Sequence, residues 1–159
     1  MRHLDGHFQL TATDLVAHSA CNHLVTLEKQ VAQGEREKPD HYDPLLEILR
    51  ERGQRHEQGY LEHLKSAGLD VTVIEGVEVN EESINQTREA MKTGAPIIAQ
   101  AALRKGSWSG RADFLKRVEK PSALGDWSYE IIDTKLARET KGGTVLQLCL
   151  YADLLASVQ

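Results

Sequence analysis

The chain has 159 residues, of which 40% are hydrophobic and 27% are charged, and this length supports one hydrophobic core and excludes two large domains. Its 19 Lys and Arg residues against 24 Asp and Glu residues give a formal net charge of -5, which excludes a polybasic binder and makes any nucleic-acid contact local. The longest nearly apolar stretch, residues 95–103, is far shorter than the roughly 20 residues of a membrane helix, and the N-terminus lacks the apolar run of a secretory signal. We therefore expect one domain, residues 1–159, that is cytoplasmic and makes no membrane contact.

The first third of the chain has the pattern of helices. Over residues 13–31 the apolar positions recur every three to five residues, which predicts one amphipathic helix. Asp43 and Pro44 are typical of a helix N-cap and first turn, and they predict a second helical stretch that continues to Gly68, with Gly53 as a candidate break. We therefore expect a mostly helical N-terminal third.

The rest of the chain alternates between short β-rich runs and helical segments. Lys105 and Gly106 predict a tight turn, so the runs on either side of it should pair antiparallel. Together these patterns predict an α/β fold with a small mixed central sheet flanked by helices. The β-rich runs cover residues 71–74, 96–103, 107–118 and 127–134, and the helical segments cover residues 80–93 and 145–158. The last helix reaches residue 159 without a stop signal, and we expect the chain to be the N-terminal fragment of a longer protein.

Two acidic residues lie among the apolar residues of the predicted strands. Asp113 is part of the string GRADFL, and Asp133 is part of YEIIDTKL. Magnesium prefers oxygen ligands, often one or two carboxylates completed by water, so two such residues on neighbouring strands could form a metal site. Lys135 follows Asp133 by two residues and therefore points to the same side of a strand, where an ammonium could orient water or neutralise a phosphate. The alternative for Asp113 is a structural ion pair with Arg111 or Lys116.

Further polar residues accompany this pair. His56 lies on the second helical stretch, and a neutral imidazole is a possible metal ligand. Gln147 and Tyr151 are four residues apart and share one face of the last helix. Basic residues, Arg111 among them, outnumber acidic ones around the predicted hairpin, which indicates a phosphate-facing patch.

The order of these motifs resembles the RecB-like branch of the PD-(D/E)xK nuclease superfamily, in particular the group of RecB-family nucleases often fused to helicases. The resemblance covers nearly the whole chain, and it implies a restriction-endonuclease-like fold. It assigns Asp113, Asp133 and Lys135 as catalytic residues. It implies that Asp113, Asp133, the backbone carbonyl of Thr134 and His56 hold Mg²⁺ or Mn²⁺. Gln147 and Tyr151, which match a Q-x-x-x-Y motif, would contact or support DNA, and we place Arg111 with them.

The resemblance therefore implies a metal-dependent deoxyribonuclease of DNA repair, recombination or defence. Its substrate would be single-stranded DNA or duplex ends, and its partner a helicase domain in the same or another chain. Some relatives hold an iron–sulfur cluster with one early cysteine and a group of three after the Q-x-x-x-Y helix. Cys21 is a suitable early cysteine, but this sequence contains no later group, so it does not support a cluster and does not exclude one in a longer parent chain. Cys21 and Cys149 lie in no C-x-x-C pair, and we expect both to be buried thiols. The alternative function is a noncatalytic DNA-binding or scaffold module of a helicase–nuclease protein.

Overall fold

The protein begins with a small antiparallel hairpin that the sequence patterns did not predict. Its strands are β1 (Arg2–Leu4) and β2 (His7–Gln9), and the computed structural model describes residues 1–4, 6–40, 42–135, 137 and 139–159. Leu10 then joins the hairpin to the main sheet, because its N–H donates to the carbonyl of Ser107 at 2.8 Å and its carbonyl accepts from the N–H of Ser109 at 2.9 Å. The hairpin is too short and too polar for a period-2 pattern to reveal it.

Two helices follow where the sequence predicted one over residues 13–31. They are α1 (Ala12–Ala20) and α2 (Asn22–Ala32). The single-helix prediction is wrong because Cys21 adopts an extended conformation, with φ -163° and ψ 112°, which interrupts the helical hydrogen bonding. The expectation of buried thiols is also wrong, since both Cys21 and Cys149 are exposed.

The long helix α3 (Pro44–Ser66) confirms the predicted cap, because Oδ1 of Asp43 accepts a hydrogen bond from the N–H of Leu45 at 2.9 Å. The candidate break at Gly53 is wrong, and the helix runs through it. A glycine inside a helix costs about 1 kcal/mol, which the surrounding turns can offset. Within the described part of the chain, no helix is both long and apolar enough to span a bilayer.

A four-stranded mixed sheet forms the centre of the molecule, and this confirms the predicted α/β architecture of a small mixed sheet flanked by helices. The strand order is β3-β4-β5-β6, with β3 parallel to β4 and the other pairs antiparallel. The remaining elements in chain order are β3 (Val71–Val73), α4 (Glu81–Lys92), β4 (Ile97–Lys105), β5 (Trp108–Val118), β6 (Ser128–Ile132) and α5 (Gly142–Ala156).

Both faces of this sheet are covered by helices. On one face, α4 and α5 pack against the sheet through Met91, Leu154 and Leu155, which meet Ile98 and Leu115. On the other face, α3 packs through the side chains at its C-terminal end, where Tyr60, Leu61 and Leu64 meet Ile97, Ala99 and Phe114. The first turns of α3 project beyond the sheet and leave Leu45, Leu46, Ile48 and Leu49 exposed.

Halfway along the β4–β5 pair, the side chains change the face of the sheet toward which they point. Gln100 in β4 has a positive φ of 58°, a backbone conformation that residues other than glycine rarely adopt. Ala99 therefore packs with the α3 side of the sheet, whereas Ala101, two residues later, packs with the α4 and α5 side. The partner strand changes in the same way between Ala112 and Phe114. Asp113 lies at the point of this reversal, directly across from Gln100.

Candidate active site

Asp113 and Asp133 lie next to each other at the edge between β5 and the end of β6. Phe114 pairs with Ile132 in the antiparallel register, so the residues one step further along each strand, Asp113 and Asp133, come opposite each other. Thr134 fixes this approach, because its N–H donates to Oδ2 of Asp113 at 2.7 Å and its hydroxyl donates to the same oxygen at 3.0 Å. The structure thus brings together the two carboxylates that the sequence singled out.

Asp133 carries a buried oxygen that accepts no hydrogen bond from any described residue. Nζ of Lys135 lies 3.0 Å from both carboxylate oxygens and donates a hydrogen bond to Oδ1. Oδ2 has no hydrogen-bond partner among the described residues, although the side chain of Asp133 is 2% exposed. Burial raises the pKa of Asp133, and the neighbouring Asp113 raises it further, while the hydrogen bond from Lys135 opposes both effects. Oδ2 is thus in contact with the charge of Lys135, and its lone pairs remain available to a further positive ligand.

Gln147 and Tyr151 reach the same carboxylate from α5. Nε2 of Gln147 lies 3.3 Å from Oδ1 of Asp133 and 3.4 Å from the hydroxyl oxygen of Tyr151, and it donates to both. Burial raises the pKa of Tyr151, whose side chain is almost fully enclosed. Gly110 makes room for the ring, because a Cβ at that position would overlap Cε1 of Tyr151. Gly110, the first residue of GRADFL, is therefore needed so that Tyr151, the last residue of the Q-x-x-x-Y motif, can pack in this position.

Arg111 does not face this site. Its guanidinium donates to the backbone carbonyls of Ile74 at 2.6 Å, Glu75 at 3.2 Å and Glu78 at 3.1 Å, and to Oε1 of Gln100 at 3.1 Å. Burial lowers the pKa of Arg111, against the opposing effect of Glu57. The side chain holds the segment between β3 and α4, so it is neither the ion-pair partner of Asp113 nor free to contact DNA.

His56 is exposed on α3, beside Leu49, Arg52 and Arg55, and the structure does not bring it to the two carboxylates. The next residue, Glu57, turns toward the sheet instead and accepts a hydrogen bond from Nε2 of Gln100. Burial raises the pKa of Glu57, and the charge of Asp113 raises it further.

Sequence reasoning missed Glu57 and Gln100, although one signal for Glu57 was present. Glu57, Tyr60, Leu61 and Leu64 have the spacing of one helix face, and the last three of these pack on the sheet. An acidic residue at the start of an apolar stripe is expected to be turned inward. Gln100 had no such signal, because the backbone reversal that positions it cannot be read from residue types.

Three basic side chains of the predicted patch are paired with neighbouring acidic groups. Arg104 pairs with Glu81, and Lys105 contacts both carboxylate oxygens of Asp153 at 2.9 and 3.0 Å. Arg117 pairs with Glu119 at 3.2 Å and also stacks on the ring of Trp127. These side chains therefore present far less free positive charge than the sequence suggested.

The donor set fits a hard cation with few protein ligands. No group of three His, Cys, Asp or Glu side chains in the described ranges could share one ion. Asp113 and Asp133 nevertheless offer two adjacent carboxylates, one with an unsatisfied buried oxygen, and the Thr134 backbone lies against them. Magnesium is often held by one or two carboxylates with water completing the octahedron, so these residues suit it.

The chain was compared with known proteins in three ways. No family model, no curated protein and no solved structure matches it.

Proposed function

We propose that the chain is a metal-dependent nuclease that hydrolyses DNA phosphodiester bonds, with a restriction-endonuclease-like fold of the RecB-like branch. The observation that carries the proposal is the meeting of Asp113 with Asp133, where a buried oxygen without a hydrogen-bond partner lies 3.0 Å from the ammonium of Lys135. The ion pair with Lys135 reaches both oxygens of Asp133, but it gives Oδ2 no hydrogen bond. A buried carboxylate oxygen that accepts no hydrogen bond, next to a second carboxylate, is what a site for a divalent cation provides.

Asp113, Asp133 and the backbone carbonyl of Thr134 would hold Mg²⁺ or Mn²⁺. When bound, the ion lowers the pKa of its water and stabilises charge on the scissile phosphate. Lys135 lies where its ammonium can orient that water or contact a phosphate oxygen. Gln147 holds Asp133 in place and links it to Tyr151. Glu57 adds negative charge to the site from the α3 side.

DNA as the substrate, and a role in repair, recombination or defence beside a helicase domain, belong to the same proposal. They rest on the order of the motifs, namely a helix with His56, the strings GRADFL and YEIIDTKL, and the Q-x-x-x-Y pair.

Three single variants, Asp133→Asn, Lys135→Met and Asp126→Asn, test the proposal. The first two should abolish Mg²⁺- or Mn²⁺-dependent cleavage of single-stranded and linear duplex DNA, while circular dichroism and Tm show an intact fold. Asp126→Asn makes the same chemical change at an exposed acid and should leave cleavage unchanged. Full activity in Asp133→Asn would contradict the assignment.

A noncatalytic DNA-binding or scaffold module is the second candidate. One observation favours it, since no three-residue group of metal-binding side chains occurs within the described residues. Such a module would bind DNA equally well in chelator and in Mg²⁺ and would cut nothing. Metal titration followed by calorimetry separates the two, because a nuclease site should bind Mn²⁺ in the wild type and lose this binding in Asp133→Asn.

A further inference from the structure

A groove opens beside the candidate active site, between the beginnings of α1 and α5. Its volume is about 350 Å³, and it shares Gln147 and Tyr151 with the carboxylate pair. The remaining lining side chains are neutral or basic, with Thr11, Thr13, Thr144 and Lys141 as the polar members, and the hydroxyl of Thr11 is already bonded to Asp14. The groove thus continues the site on its α1 side, and none of its lining residues is acidic.

Three groups on the wall of this groove are free to bind a ligand. The hydroxyls of Thr13 and Thr144 and the ammonium of Lys141 make no hydrogen bond or ion pair with any described side chain or backbone group. All three can donate hydrogen bonds, and the ammonium carries a positive charge. A wall of free donors suits an anion with several oxygens.

Tyr151 gives an independent indication of a ligand. Its side chain is 7% exposed, and its hydroxyl accepts a weak hydrogen bond from Gln147 but donates to no acceptor in the described part of the chain. A phenol proton that is enclosed and not donated is costly unless something supplies an acceptor. The groove is the space from which such an acceptor can come, because Tyr151 lines it.

The N-termini of α1 and α5 both border the groove, and only that of α5 is left uncapped. The N-terminus of α1 is already capped, since the carboxylate of Asp14 accepts from the N–H of Thr11 at 2.7 Å and from its hydroxyl at 2.9 Å. The N-terminus of α5 has no side-chain cap and no acidic residue in its first turn. Its uncapped N–H groups at Gly142 and Gly143 add to the attraction for an anion.

We propose that this groove binds a backbone phosphate of the nucleic-acid strand, next to the phosphate held at Asp113 and Asp133. The inference rests on the proposed function, and it deepens it by giving the strand a path from the carboxylates over Tyr151 to Lys141. Lys141, Thr144 and the α5 N-terminus contact phosphate oxygens, which every nucleotide carries. Binding through this groove is therefore independent of base sequence.

The test measures binding of a single-stranded DNA oligonucleotide to the full chain in chelator, at several salt concentrations. Lys141→Gln should weaken binding about tenfold and reduce the slope of log affinity against log salt by about one, as expected for the loss of one phosphate contact. Lys65→Gln removes the same charge from an exposed position near the end of α3 and should change neither quantity. Equal effects of the two variants, or no effect of Lys141→Gln, would overturn the inference.

Gly142→Asp separates binding from folding. A Cβ at Gly142 meets no atom within 4 Å, and an acid in the first turn favours the helix, so Tm should stay the same or rise. The new carboxylate should nevertheless repel the phosphate and weaken DNA binding about tenfold or more. Unchanged binding in this variant would also overturn the inference.

Cleavage in Mn²⁺ is measured on the same samples. If the wild type cuts nothing but Lys141→Gln still weakens DNA binding, the nuclease proposal is rejected and the groove is retained. Cleavage that needs Asp133 but is insensitive to Lys141 and Gly142 rejects the groove and retains the nuclease.

Discussion

Two polar clusters meet the central strands at the reversal, one through Gln100 and the other through Asp113, and they differ in how completely their polar atoms are hydrogen-bonded. The loop-tie cluster consists of Glu57, Gln100 and Arg111, and its guanidinium donates to four acceptors. The carboxylate cluster consists of Asp113, Asp133, Lys135 and Gln147, and it leaves a buried oxygen of Asp133 without a hydrogen bond. Both clusters contain the residue types of a catalytic site. The pairing distinguishes them, because a cluster that is satisfied internally stabilises the fold, whereas an unsatisfied one has room for a ligand.

The largest effect is expected from breaking the loop-tie cluster. Arg111→Met leaves the carbonyls of Ile74, Glu75 and Glu78 without their donor and should lower the free energy of unfolding by about 2–4 kcal/mol. Urea unfolding measures this loss. Arg2→Met removes an exposed pair with Glu78 and serves as the control, with an expected loss below about 1 kcal/mol. Similar losses in both variants would contradict the structural role of Arg111.

A smaller loss should follow from filling the space under Tyr151. Gly110→Ala places a methyl group against the ring and should lower the free energy of unfolding by about 1–3 kcal/mol through overpacking. It should also reduce cleavage, because Tyr151 and Gln147 shift together. Gly142→Ala, at a position with open space, should be neutral or slightly stabilising. Both variants can be compared by thermal unfolding. An unchanged Tm in Gly110→Ala would show that the Tyr151 ring can move aside without loss of stability.

The unpaired oxygen of the carboxylate cluster should be visible as a pH dependence of stability in chelator. Because folding raises the pKa of Asp133 above its ordinary value of 3.8, the unfolded chain releases this proton first as pH rises. The contribution of Asp133 is thus fully present below pH 3.8 and is lost as pH rises through the folded pKa. Asp133→Asn lacks this component.

Glu57 also lowers the free energy of unfolding as pH rises, because burial raises its pKa as well. The difference between the unfolding free energies of wild type and Asp133→Asn, followed from pH 3.8 upward, therefore reports Asp133 together with its effect on the pKa of Glu57. Parallel curves for the two proteins would mean that the side chain of Asp133 is solvated rather than buried.

The smallest effect is expected at His56. This side chain is exposed and away from the carboxylate cluster, so His56→Ala should change the free energy of unfolding by less than about 0.5 kcal/mol. It should also leave metal-dependent cleavage and Mn²⁺ binding unchanged. A loss of Mn²⁺ binding, measured by calorimetry, would restore the imidazole as a ligand.

The sequence predicted the parts of this molecule that depend on local patterns. The cap at Asp43, the turn at Gly106 and the four runs that became β3 to β6 all follow from residue types over short windows. The spacing of Gln147 and Tyr151 was enough to place them on one face of α5. Asp113 and Asp133 were expected to meet because their strands were expected to be neighbours.

The features that escaped prediction depend on contacts between distant segments. Arg111 donates hydrogen bonds to carbonyls that lie more than thirty residues earlier in the chain, and no local pattern indicates such partners. The pairing of Arg104 and Lys105 with acids on α4 and α5 escaped notice for the same reason. The break at Cys21 depends on one extended residue within an otherwise helical pattern.

The reversal at Gln100 also divides the longest strand pair of the sheet into two ladders. Residues 97–99 pair with 114–116, and residues 101–105 pair with 108–112, while Gln100 and Asp113 are not paired between them. A left-handed residue inside a strand costs on the order of 1–3 kcal/mol, and the two shorter ladders can open independently. Amide hydrogen exchange should therefore show a local minimum of protection at this junction, which places the most easily opened point of the central sheet beside the carboxylates.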